Sequence, residues 1–455
     1  MTYFIATYGC QMNVHESEKI AGVLESMGYT LAEDIQKADI VVFNTCAIRE
    51  SAEQKILGNI GALKPIKAKR KDMLIVVCGC MSQQEAMAGV LKEKYPFVDI
   101  VLGTHNLASL RKFIEQKIAQ KKRVFAIEEQ QDIAPRDAMP MVRTSGVNAW
   151  VNIMYGCNNF CTYCIVPYVR GREISRPMQD IVKEVCQLLK EGYKEITLLG
   201  QNVNSYGNGK NETFAKLLQT LDALPYKYRL KFMTSHPKDL SMEVVDVISK
   251  GKNIAKCVHL PIQSGSDRIL EAMNRKYTVE HYVSIIDALR EKVPGVTFST
   301  DMIVGFPGET DEDFALTLDV IKRVQYQQVF AFMYSRRKGT VADKMDGQIP
   351  LAVKKQRLQT LLAVEKEISE KLALEHVGEV EEVLLEDVHP KFANKLMGST
   401  VYGRAVTVQG AGRVGDFVKV KITKVKNSVL FGDIVEDEYG YFANDATLFK
   451  NKRTS

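Results

Sequence analysis

The first 128 residues of the chain alternate short apolar runs with stretches of helical spacing. The apolar runs predict strands, and apolar residues three and four positions apart in the segments between them predict helices. Continuous apolar strands separated by helices are typical of a parallel sheet covered on both faces, so we expect a doubly wound parallel α/β domain over residues 1–128. Its strands are predicted at residues 3–8, 40–45, 74–78, 100–102 and 124–127.

A second alternating region extends over residues 149–350, after a polar linker at 129–148 that contains Pro135 and Pro140. A full barrel of eight strand–helix units usually takes about 250 residues, so the six units found here predict a partial (β/α)6 barrel of the TIM type. Its strands are expected at residues 150–155, 196–200, 230–234, 257–262, 297–304 and 329–334.

The pattern changes again in the last quarter of the chain. Residues 351–376 have the spacing of a charged amphipathic helix that leads out of the barrel. Between residues 377 and 440, short runs rich in valine and threonine are separated by glycines, which predicts a small antiparallel β-barrel. Two of its strands are expected at 401–408 and 417–425, and residues 441–455 are predicted to form a tail.

The composition is that of a globular protein with several domains. The chain has 455 residues, of which 45% are hydrophobic and 25% are charged, which excludes intrinsic disorder and a small disulfide scaffold. The sequence contains neither an apolar stretch long enough to cross a bilayer nor the pattern of a signal peptide. We therefore expect a cytoplasmic protein without a membrane partner, whose nine cysteines are metal ligands, nucleophiles or core residues rather than disulfides.

The net charge of +6 is too weak for bulk binding of nucleic acid. Residues 140–350 carry 27 basic and 23 acidic side chains, whereas residues 377–455 carry 11 of each. RNA contacts must then come from local patches near the predicted barrel mouth and on one C-terminal strand. The candidates are Arg170, Arg172, Arg176, Arg336, Arg337, Lys419 and Lys421, and the alternative for each group is a solvated basic loop or edge strand.

Three cysteines form a CxxxCxxC motif directly after the first predicted barrel strand, where the active sites of such barrels lie. These CxxxCxxC cysteines are Cys157, Cys161 and Cys164. Three thiolates so close together can hold one face of a cuboidal iron–sulfur cluster and leave one iron open for a substrate. The alternatives are a zinc site, which more often has paired CxxC spacings and four ligands, or three packed cysteines.

Three further cysteines each follow a different predicted strand of the N-terminal domain. These N-terminal cysteines are Cys10, Cys46 and Cys80. Because the carboxyl ends of parallel strands meet at one edge of a sheet, we expect the three thiols to converge and predict a second metal cluster there. The alternative is that they are coincidental core residues, which is our interpretation of Cys78, Cys186 and Cys257.

The sequences around the cysteines resemble the radical S-adenosylmethionine (SAM) methylthiotransferases. The similar segments are residues 7–13 (TYGCQMN), 44–52 (NTCAIRESA), 78–83 (CGCMSQ), 155–164 and 167–173, so the resemblance covers nearly the whole chain. The residues beside Cys10 and Cys46 are most similar to the branch that acts on dimethylallyladenosine in tRNA. The ribosomal-protein branch more usually has GCPKN and TCG there, and the branch acting on threonylcarbamoyl adenosine usually has GCKVN.

The resemblance implies an enzyme with SAM and two [4Fe-4S] clusters as cofactors. The CxxxCxxC cysteines would hold the cluster that cleaves SAM to a radical, and this radical would abstract hydrogen from C2 of the prenylated adenosine on the 3′ side of the anticodon. The N-terminal cysteines would hold an auxiliary cluster that holds or donates the sulfur of the methylthio group. The alternatives are a ribosomal-protein aspartate or threonylcarbamoyl adenosine as substrate, or a non-catalytic iron–sulfur protein that binds RNA or relays electrons.

The resemblance also implies further SAM contacts and partners. SAM contacts are expected at the ends of the barrel strands, although the segment at residues 198–202 departs from the Gly-Gly-Glu that the superfamily often has there. The C-terminal barrel resembles a TRAM domain, an OB-like RNA-binding module, so we expect prenylated tRNA as a partner. We also expect an electron donor such as flavodoxin, and a monomeric state. The expected SAM-binding residues, each of which could instead belong to a turn or cap, are Gly200, Gln201, Ser235, Gln263, Ser264, Arg275, Asp301 and Gly305.

Overall fold

The computed structural model describes residues 1–47, 50–128, 134–207, 212–392 and 394–435. The chain divides into two compact units, Met1–Ser369 and Glu370–Ser455. The predicted tail at 441–455, the start of the predicted linker at 129–133, and Ile48 and Arg49 of the NTCAIRESA segment lie outside the described residues.

The N-terminal part of the first unit has a six-stranded sheet in the order β2-β1-β3-β4-β5-β6, with every neighbouring pair parallel. Alternate residues of β3 and β4 enter two separate hydrophobic cores, with Val42 and Val76 on one face and Val41 and Val77 on the other. Both faces are therefore covered, which confirms the predicted doubly wound domain. The strands are β1 (Thr2–Thr7), β2 (Thr30–Leu31), β3 (Ile40–Thr45), β4 (Leu74–Gly79), β5 (Ile100–Leu102) and β6 (Val124–Ala126).

Helices connect these strands and cover the sheet. They are α1 (Gln11–Ser26), α2 (Glu50–Ala62), α3 (Lys64–Lys69), α4 (Cys80–Gln83), α5 (Glu85–Lys94) and α6 (Leu110–Gln120), together with a 3-10 helix at Thr104–Ser109. The short helix α7 (Ala134–Asp137) then leads to the second part of the unit.

Six parallel strands of the second part follow one another in chain order, β7-β10-β11 and β12-β13-β14. A parallel bridge between Leu230 and Ile254 joins the two groups, so the strands form the predicted partial (β/α)6 barrel. A two-stranded antiparallel ribbon, β8 with β9, lies outside this series. The strands are β7 (Asn148–Asn152), β8 (Met154–Tyr155), β9 (Ile174–Ser175), β10 (Glu195–Leu199), β11 (Arg229–Phe232), β12 (Cys257–His259), β13 (Thr297–Val304) and β14 (Gln328–Met333).

The helices of the barrel alternate with its strands, apart from α8, which follows the CxxxCxxC motif, and the two successive helices between β12 and β13. They are α8 (Val166–Arg170), α9 (Met178–Lys190), α10 (Phe214–Asp222), α11 (Met242–Lys250), α12 (Asp267–Ala272), α13 (Val279–Lys292) and α14 (Asp311–Val324), with 3-10 helices at Val203–Ser205, Pro237–Asp239 and Ala342–Lys344. The charged helix α15 (Leu351–Leu374) follows. Among the described residues, no helix combines the length and apolar character that crossing a membrane requires.

The second unit contains a closed five-stranded barrel in the order β15-β16-β17-β19-β18. Its neighbouring strands are antiparallel, as predicted, except that β17 and β19 are parallel. The strand expected at 401–408 begins only at Ala405, because residues 401–404 turn the chain back from β16. The strands are β15 (Val380–Val388), β16 (Lys395–Thr400), β17 (Ala405–Gln409), β18 (Phe417–Lys426) and β19 (Val429–Ile434).

Candidate active site

The N-terminal cysteines lie at the carboxyl ends of three adjacent strands. Cys10 follows β1 and precedes α1, Cys46 follows β3, and Cys80 follows β4 as the first residue of α4. Gly9 allows the first two segments to approach, because a Cβ atom at this position would lie 2.6 Å from Cys46 Sγ. Its φ of +106° also favours glycine. The sheet therefore brings the three cysteine-bearing segments together at one edge, as the sequence predicted.

Hydrogen bonds fix the backbone of these segments relative to one another. Asn13 Nδ2 donates to the carbonyl oxygens of Tyr8 at 2.7 Å and Thr45 at 3.0 Å. Thr45 Oγ1 in turn donates to the Cys78 carbonyl at 2.6 Å. The Asn13 side chain of α1 thus connects the loops that carry Cys10 and Cys46. Thr45 in turn connects the second of these loops to β4, the strand before Cys80.

An arginine from the barrel part of the unit reaches this group of thiols. Arg170, the last residue of α8, is 5% exposed, and its Nε donates to Cys80 Sγ at 3.2 Å. Its Nη1 donates to Met12 Sδ at 2.9 Å, and its Nη2 donates to Asn13 Oδ1 at 2.7 Å. Hydrogen bonds from a charged donor are stronger than neutral ones, so Arg170 binds the N-terminal cysteine site firmly.

Glu16 balances the charge of this buried arginine. Its carboxylate accepts from Arg170 Nη1 at 2.8 Å and Nη2 at 3.3 Å, and it also pairs with Arg136. Burial alone would raise the pKa of Glu16, but the two arginines lower it to about 2. The carboxylate is therefore ionised over the whole physiological range, and the arginine is neutralised in place.

The CxxxCxxC cysteines follow β8 in a loop whose position is fixed at both ends. Gly156 has a φ of +72°, and a Cβ atom there would lie 2.0 Å from the Arg172 carbonyl oxygen, so only glycine fits. The N–H of Cys164 donates to the Cys161 carbonyl at 2.9 Å, which forms a tight turn. Between them, Thr162 Oγ1 donates to the Ala272 carbonyl at 2.9 Å at the end of α12.

Burial disfavours the thiolate form of the cysteines in this loop, so their ionisation needs a compensating positive charge. Desolvation raises the pKa of Cys157 to about 11 and that of Cys164 to about 12. Arg275 provides one compensating charge, with its Nη1 3.4 Å from Cys161 Sγ. Soft thiolates that are costly to ionise alone are suited to iron or another thiophilic metal, which stabilises the deprotonated form.

Neither cysteine set is arranged around one metal-ion position. In the described parts of the chain, no three His, Cys, Asp or Glu side chains form such an arrangement. A structural zinc ion binds all its ligands about one centre, whereas in an iron–sulfur cluster each thiolate binds a different iron.

The predicted SAM residues at the ends of β10 and β11 have different surroundings. Gly200 lies against Met154, whose Cγ would be 2.6 Å from a Cβ atom at that position. Gln201 Nε2 donates to Met12 Sδ at 2.8 Å, so this side chain contacts α1 near the N-terminal cysteines. Ser235 is 5% exposed, and its hydroxyl has no hydrogen-bond partner. Only Ser235 of these three presents an unsatisfied polar group.

The remaining predicted SAM residues lie after β12, within β13 or directly after β13. Arg275 Nη2 donates to the Pro261 carbonyl at 2.8 Å, and Ser264 Oγ accepts from the Ser266 N–H at 3.2 Å. Asp301 lies 3.6 Å from His259 Nε2. Two members of the set have positive φ angles, which indicates a structural role in the turns at these strand ends. They are Gln263 (φ +76°) and Gly305 (φ +71°).

Buried polar groups without partners form a feature that the sequence prediction largely missed. Besides Ser235, they include Nδ2 and Oδ1 of Asn152 at the end of β7, Nδ2 of Asn204 after β10, and Nε2 of His236 after β11. An unsatisfied buried polar group costs about 1–3 kcal/mol, so these groups fit a polar ligand. The asparagine-rich QNVNS segment after β10 is the signal that could have indicated them.

His236 links these polar groups to the CxxxCxxC loop. Its ring packs against Tyr277 at 5.6 Å between centroids, and Arg275 Nε donates to the Tyr277 hydroxyl at 2.9 Å. Its Nδ1 accepts the Lys238 N–H at 3.3 Å, so the neutral ring carries its proton on the unpartnered Nε2. Burial, together with Arg275 and Lys238, lowers the pKa of His236 to about 2. The ring is therefore a neutral hydrogen-bond donor.

Comparison with known proteins establishes the family. Residues 2–103 match "Uncharacterized protein family UPF0004", residues 151–321 match the Radical SAM superfamily, and residues 375–435 match the TRAM domain. The chain is 47% identical over 438 residues to the tRNA-2-methylthio-N(6)-dimethylallyladenosine synthase of Thermoanaerobacter pseudethanolicus, covering 95% of this chain and 93% of that protein. It is 48% identical over 434 residues to the protein of the same name from Clostridium botulinum, covering 95% and 96%. The chain belongs to the tRNA-2-methylthio-N6-dimethylallyladenosine synthase family.

Solved structures show the same fold outside this family. The radical S-adenosylmethionine methyltransferase TsrM from Kitasatospora setae has a TM-score of 0.56 and 13% sequence identity, and the match covers 84% of this chain and 78% of that chain. As a member of the radical SAM superfamily, this synthase-family chain uses SAM and a [4Fe-4S] cluster. The family membership confirms the resemblance predicted from the cysteine motifs.

The structure corrects two of the predicted RNA contacts in this member of the synthase family. Arg170 is buried in the contacts described above, and Arg176 is 7% exposed and pairs with Asp137 at 3.0 Å and Glu184 at 2.8 Å. Neither guanidinium can meet a phosphate without breaking a buried ion pair, which is unfavourable. Both arginines follow the CxxxCxxC motif as predicted, but the sequence does not reveal their buried acidic partners.

The other predicted RNA contacts are more accessible. Arg172 is exposed and lies 4.4 Å from the centroid of the Phe160 ring, and Arg336 is exposed beside Asp343 at 2.9 Å. Arg337 is half-buried. Arg172 and Arg336 therefore remain the arginines of this group that a phosphate can reach directly.

The lysines of β18 share one outer face of the C-terminal barrel. Lys419 and Lys421 are exposed, while the alternate residues Val420 and Ile422 are in the core. A β-bulge after Ile422 shifts the alternation by one residue. The bulge gives the next two lysines the same outward orientation, so the exposed stripe consists of Lys419, Lys421, Lys424 and Lys426.

Proposed function

We propose that this chain is a tRNA-2-methylthio-N6-dimethylallyladenosine synthase. It replaces the C2 hydrogen of N6-dimethylallyladenosine, on the 3′ side of the anticodon, with a methylthio group. The observation that carries the proposal is that helix α8 connects two separate cysteine sites. Cys164 and Ile165 precede this helix, Ile165 and the helix residue Val169 pack with Ala47 and Cys80, and the last helix residue, Arg170, bonds to Cys80.

The CxxxCxxC cysteines hold the [4Fe-4S] cluster of the radical SAM part. When bound, this cluster supplies the open iron that coordinates SAM and the electron that cleaves it. Gly156 and Thr162 fix the loop, and Arg275 neutralises part of the thiolate charge near Cys161. These residues therefore give the loop one conformation in which its three sulfur atoms can bind together.

The buried polar groups beside this loop bind SAM. His236 donates from Nε2, Asn204 donates from Nδ2, and Ser235 offers a hydroxyl, all of which lack protein partners. A carboxylate or ribose hydroxyl would satisfy them.

The N-terminal cysteines hold a second [4Fe-4S] cluster, which supplies the sulfur when bound. Their convergence at three adjacent strand ends and the cation of Arg170 beside Cys80 support this assignment. Two sites are chemically reasonable, because activation of a C–H bond and insertion of sulfur require different environments around one substrate.

The tRNA is bound through local basic surfaces. Arg172 and Arg336 near the barrel mouth, with the lysine stripe of β18, are the proposed phosphate contacts. A flavodoxin-type electron donor, a monomeric state and a cytoplasmic location belong to the same proposal.

Mass spectrometry of tRNA nucleosides tests this function directly. A strain that lacks the gene is complemented with the wild-type chain, with Cys157→Ala, or with Cys186→Ala as a matched control on α9. The wild type and the control should produce methylthio-dimethylallyladenosine, whereas Cys157→Ala should accumulate dimethylallyladenosine. An unchanged nucleoside profile in the deletion strain, or methylthiolation of threonylcarbamoyl adenosine instead, would overturn the proposal.

A further inference from the structure

Arg170 belongs to the barrel part of the unit, but its guanidinium forms hydrogen bonds and an ion pair with residues of the N-terminal part. Its guanidinium contacts Cys80, Met12, Asn13 and Glu16, and it is almost completely buried. The helix that carries it is also anchored there, because Thr104 Oγ1 donates to the Val169 carbonyl. The position of the guanidinium relative to Cys80 is therefore fixed from both sides.

A guanidinium at this distance affects the electrons of whatever the Cys80 thiolate binds. A hydrogen bond and a positive charge at a cluster sulfur stabilise the reduced, more negative form and so raise the reduction potential. Glu16 acts in the opposite direction, because it is ionised and lies 2.8 Å from the same guanidinium. The pair thus presents two buried charges of opposite sign, of which the cation donates directly to the sulfur.

We infer that Arg170 is a positioning residue that holds Cys80 and raises the reduction potential of the group bound by the N-terminal cysteines, and that Glu16 limits this effect. The inference rests on the second cluster of the proposed function. It assigns to this ion pair a role in adjusting the sulfur-donating site as well as in joining the two parts of the unit.

A purely structural role makes a different prediction from an electronic one. If the ion pair only holds the parts together, removing either partner should loosen the site and change the potential in the same direction, or leave it unchanged. If the charges act on the cluster, the two removals should change the potential in opposite directions.

The chain offers a matched control for this comparison. Arg357 and Glu309 form another buried pair at 2.6 Å, with side-chain exposures of 7% and 1%, against 4% and 2% for Arg170 and Glu16. This second pair joins α15 to the loop before α14. Its variants therefore report the general effect of breaking a buried ion pair.

The experiment uses the full chain with Cys157, Cys161 and Cys164 replaced by alanine, reconstituted anaerobically with ferrous iron and sulfide. The potential of the remaining cluster is measured by redox titration followed by electron paramagnetic resonance. We expect Arg170→Met to shift the potential to more negative values, Arg170→Lys to shift it less, and Glu16→Gln to shift it to more positive values. Arg357→Met and Glu309→Gln should leave it unchanged.

The outcomes separate this inference from the proposed function. Absence of any cluster in the triple-alanine background would refute the second cluster itself. A cluster whose potential is the same in the Arg170 and Glu16 variants as in the controls, or shifts in the same direction in both, would refute the inference alone. If Arg170→Met does not fold, Arg170→Lys and Glu16→Gln still decide between the two roles.

Discussion

At the scale of single residues, glycines with no room for a side chain shape both cysteine sites. Gly9 and Gly156 have positive φ angles and face a thiol or a carbonyl oxygen at a distance that a Cβ atom cannot occupy. The cost of a side chain at such a position has two parts, the strain of the left-handed conformation, about 1–2 kcal/mol, and the displacement of the neighbour. The displacement of the neighbour moves the cysteine loop itself.

Gly156→Ala should therefore lose the cluster of the CxxxCxxC loop. The added Cβ atom would displace the Arg172 carbonyl and with it the start of the loop. We expect the iron content after reconstitution to fall to about half and reductive cleavage of SAM to fall at least about tenfold, which corresponds to 1.4 kcal/mol. Gly192→Ala is the control, since Gly192 has a φ of +98° but no atom within 4 Å of the Cβ position. Equal loss of iron in both variants would show that backbone strain, and not the contact, is responsible.

His236 leads to a prediction about pH. Its pKa is about 2 in the folded chain and about 6.5 in the unfolded chain, so below pH 6.5 the unfolded state takes up a proton that the folded state does not. This contribution to stability is complete above pH 6.5 and is lost as the pH falls. Between pH 6.5 and 5.5 the unfolding free energy of the metal-free wild type should fall by about 1 kcal/mol more than that of His236→Gln. Urea unfolding at the two pH values measures this, with the exposed His281→Gln as control; parallel curves for wild type and His236→Gln would contradict it.

At the scale of elements, α8 has a role that its five residues do not suggest. It begins after Cys164, and its apolar residues pack against Ala47 and Cys80 of the N-terminal part. A change in the packing of this helix should consequently change the positions of the N-terminal cysteines, although the helix belongs to the other half of the unit.

Val169→Ala tests this coupling. Val169 is 1% exposed, and Val185 on α9 is 0% exposed in the barrel core, so Val185→Ala removes the same volume elsewhere. Both variants should lose about 1–3 kcal/mol of stability. In the triple-alanine background, only Val169→Ala should change the electron paramagnetic resonance spectrum of the remaining cluster. The same spectrum in both variants would mean that α8 does not position the site.

The strand positions could be predicted where burial produces continuous apolar runs. β3, which is buried throughout, begins and ends where the sequence places it, at Ile40–Thr45. β13 also has its predicted bounds, Thr297–Val304, but its burial alternates along the strand. β2 was missed because its two residues are exposed and leave no pattern. The bulge of β18 was also missed, because strand parity alone cannot show where one extra residue enters. The convergence of the cysteines was predictable because it follows from parallel strands alone.

At the scale of the whole first unit, buried charges join its two halves. α1 contacts β1 and β3 of its own sheet and also β7 of the barrel. Three charged residues of this helix are therefore buried, namely Glu16, Glu18 and Lys19. The sequence could not reveal this, because charges on a helix normally indicate a solvated face, and their partners Arg143 and Asp137 lie more than 100 residues away in the chain.

Arg143→Met should be strongly destabilising for the first unit. Arg143 lies 3.4 Å from Glu18 and 2.9 Å from Glu184, and its removal leaves both carboxylates without this cation in a largely buried place. Breaking a buried pair in this way costs about 3–5 kcal/mol, whereas the exposed pair of Arg323 and Glu280 contributes little. Thermal unfolding of the metal-free protein should show a large fall in Tm for Arg143→Met and almost none for Arg323→Met. Adding Glu18→Gln to Arg143→Met should recover part of the loss, because one unpaired charge disappears. Equal Tm values for the two arginine variants would show that the charges between α1 and the barrel do not hold the halves together.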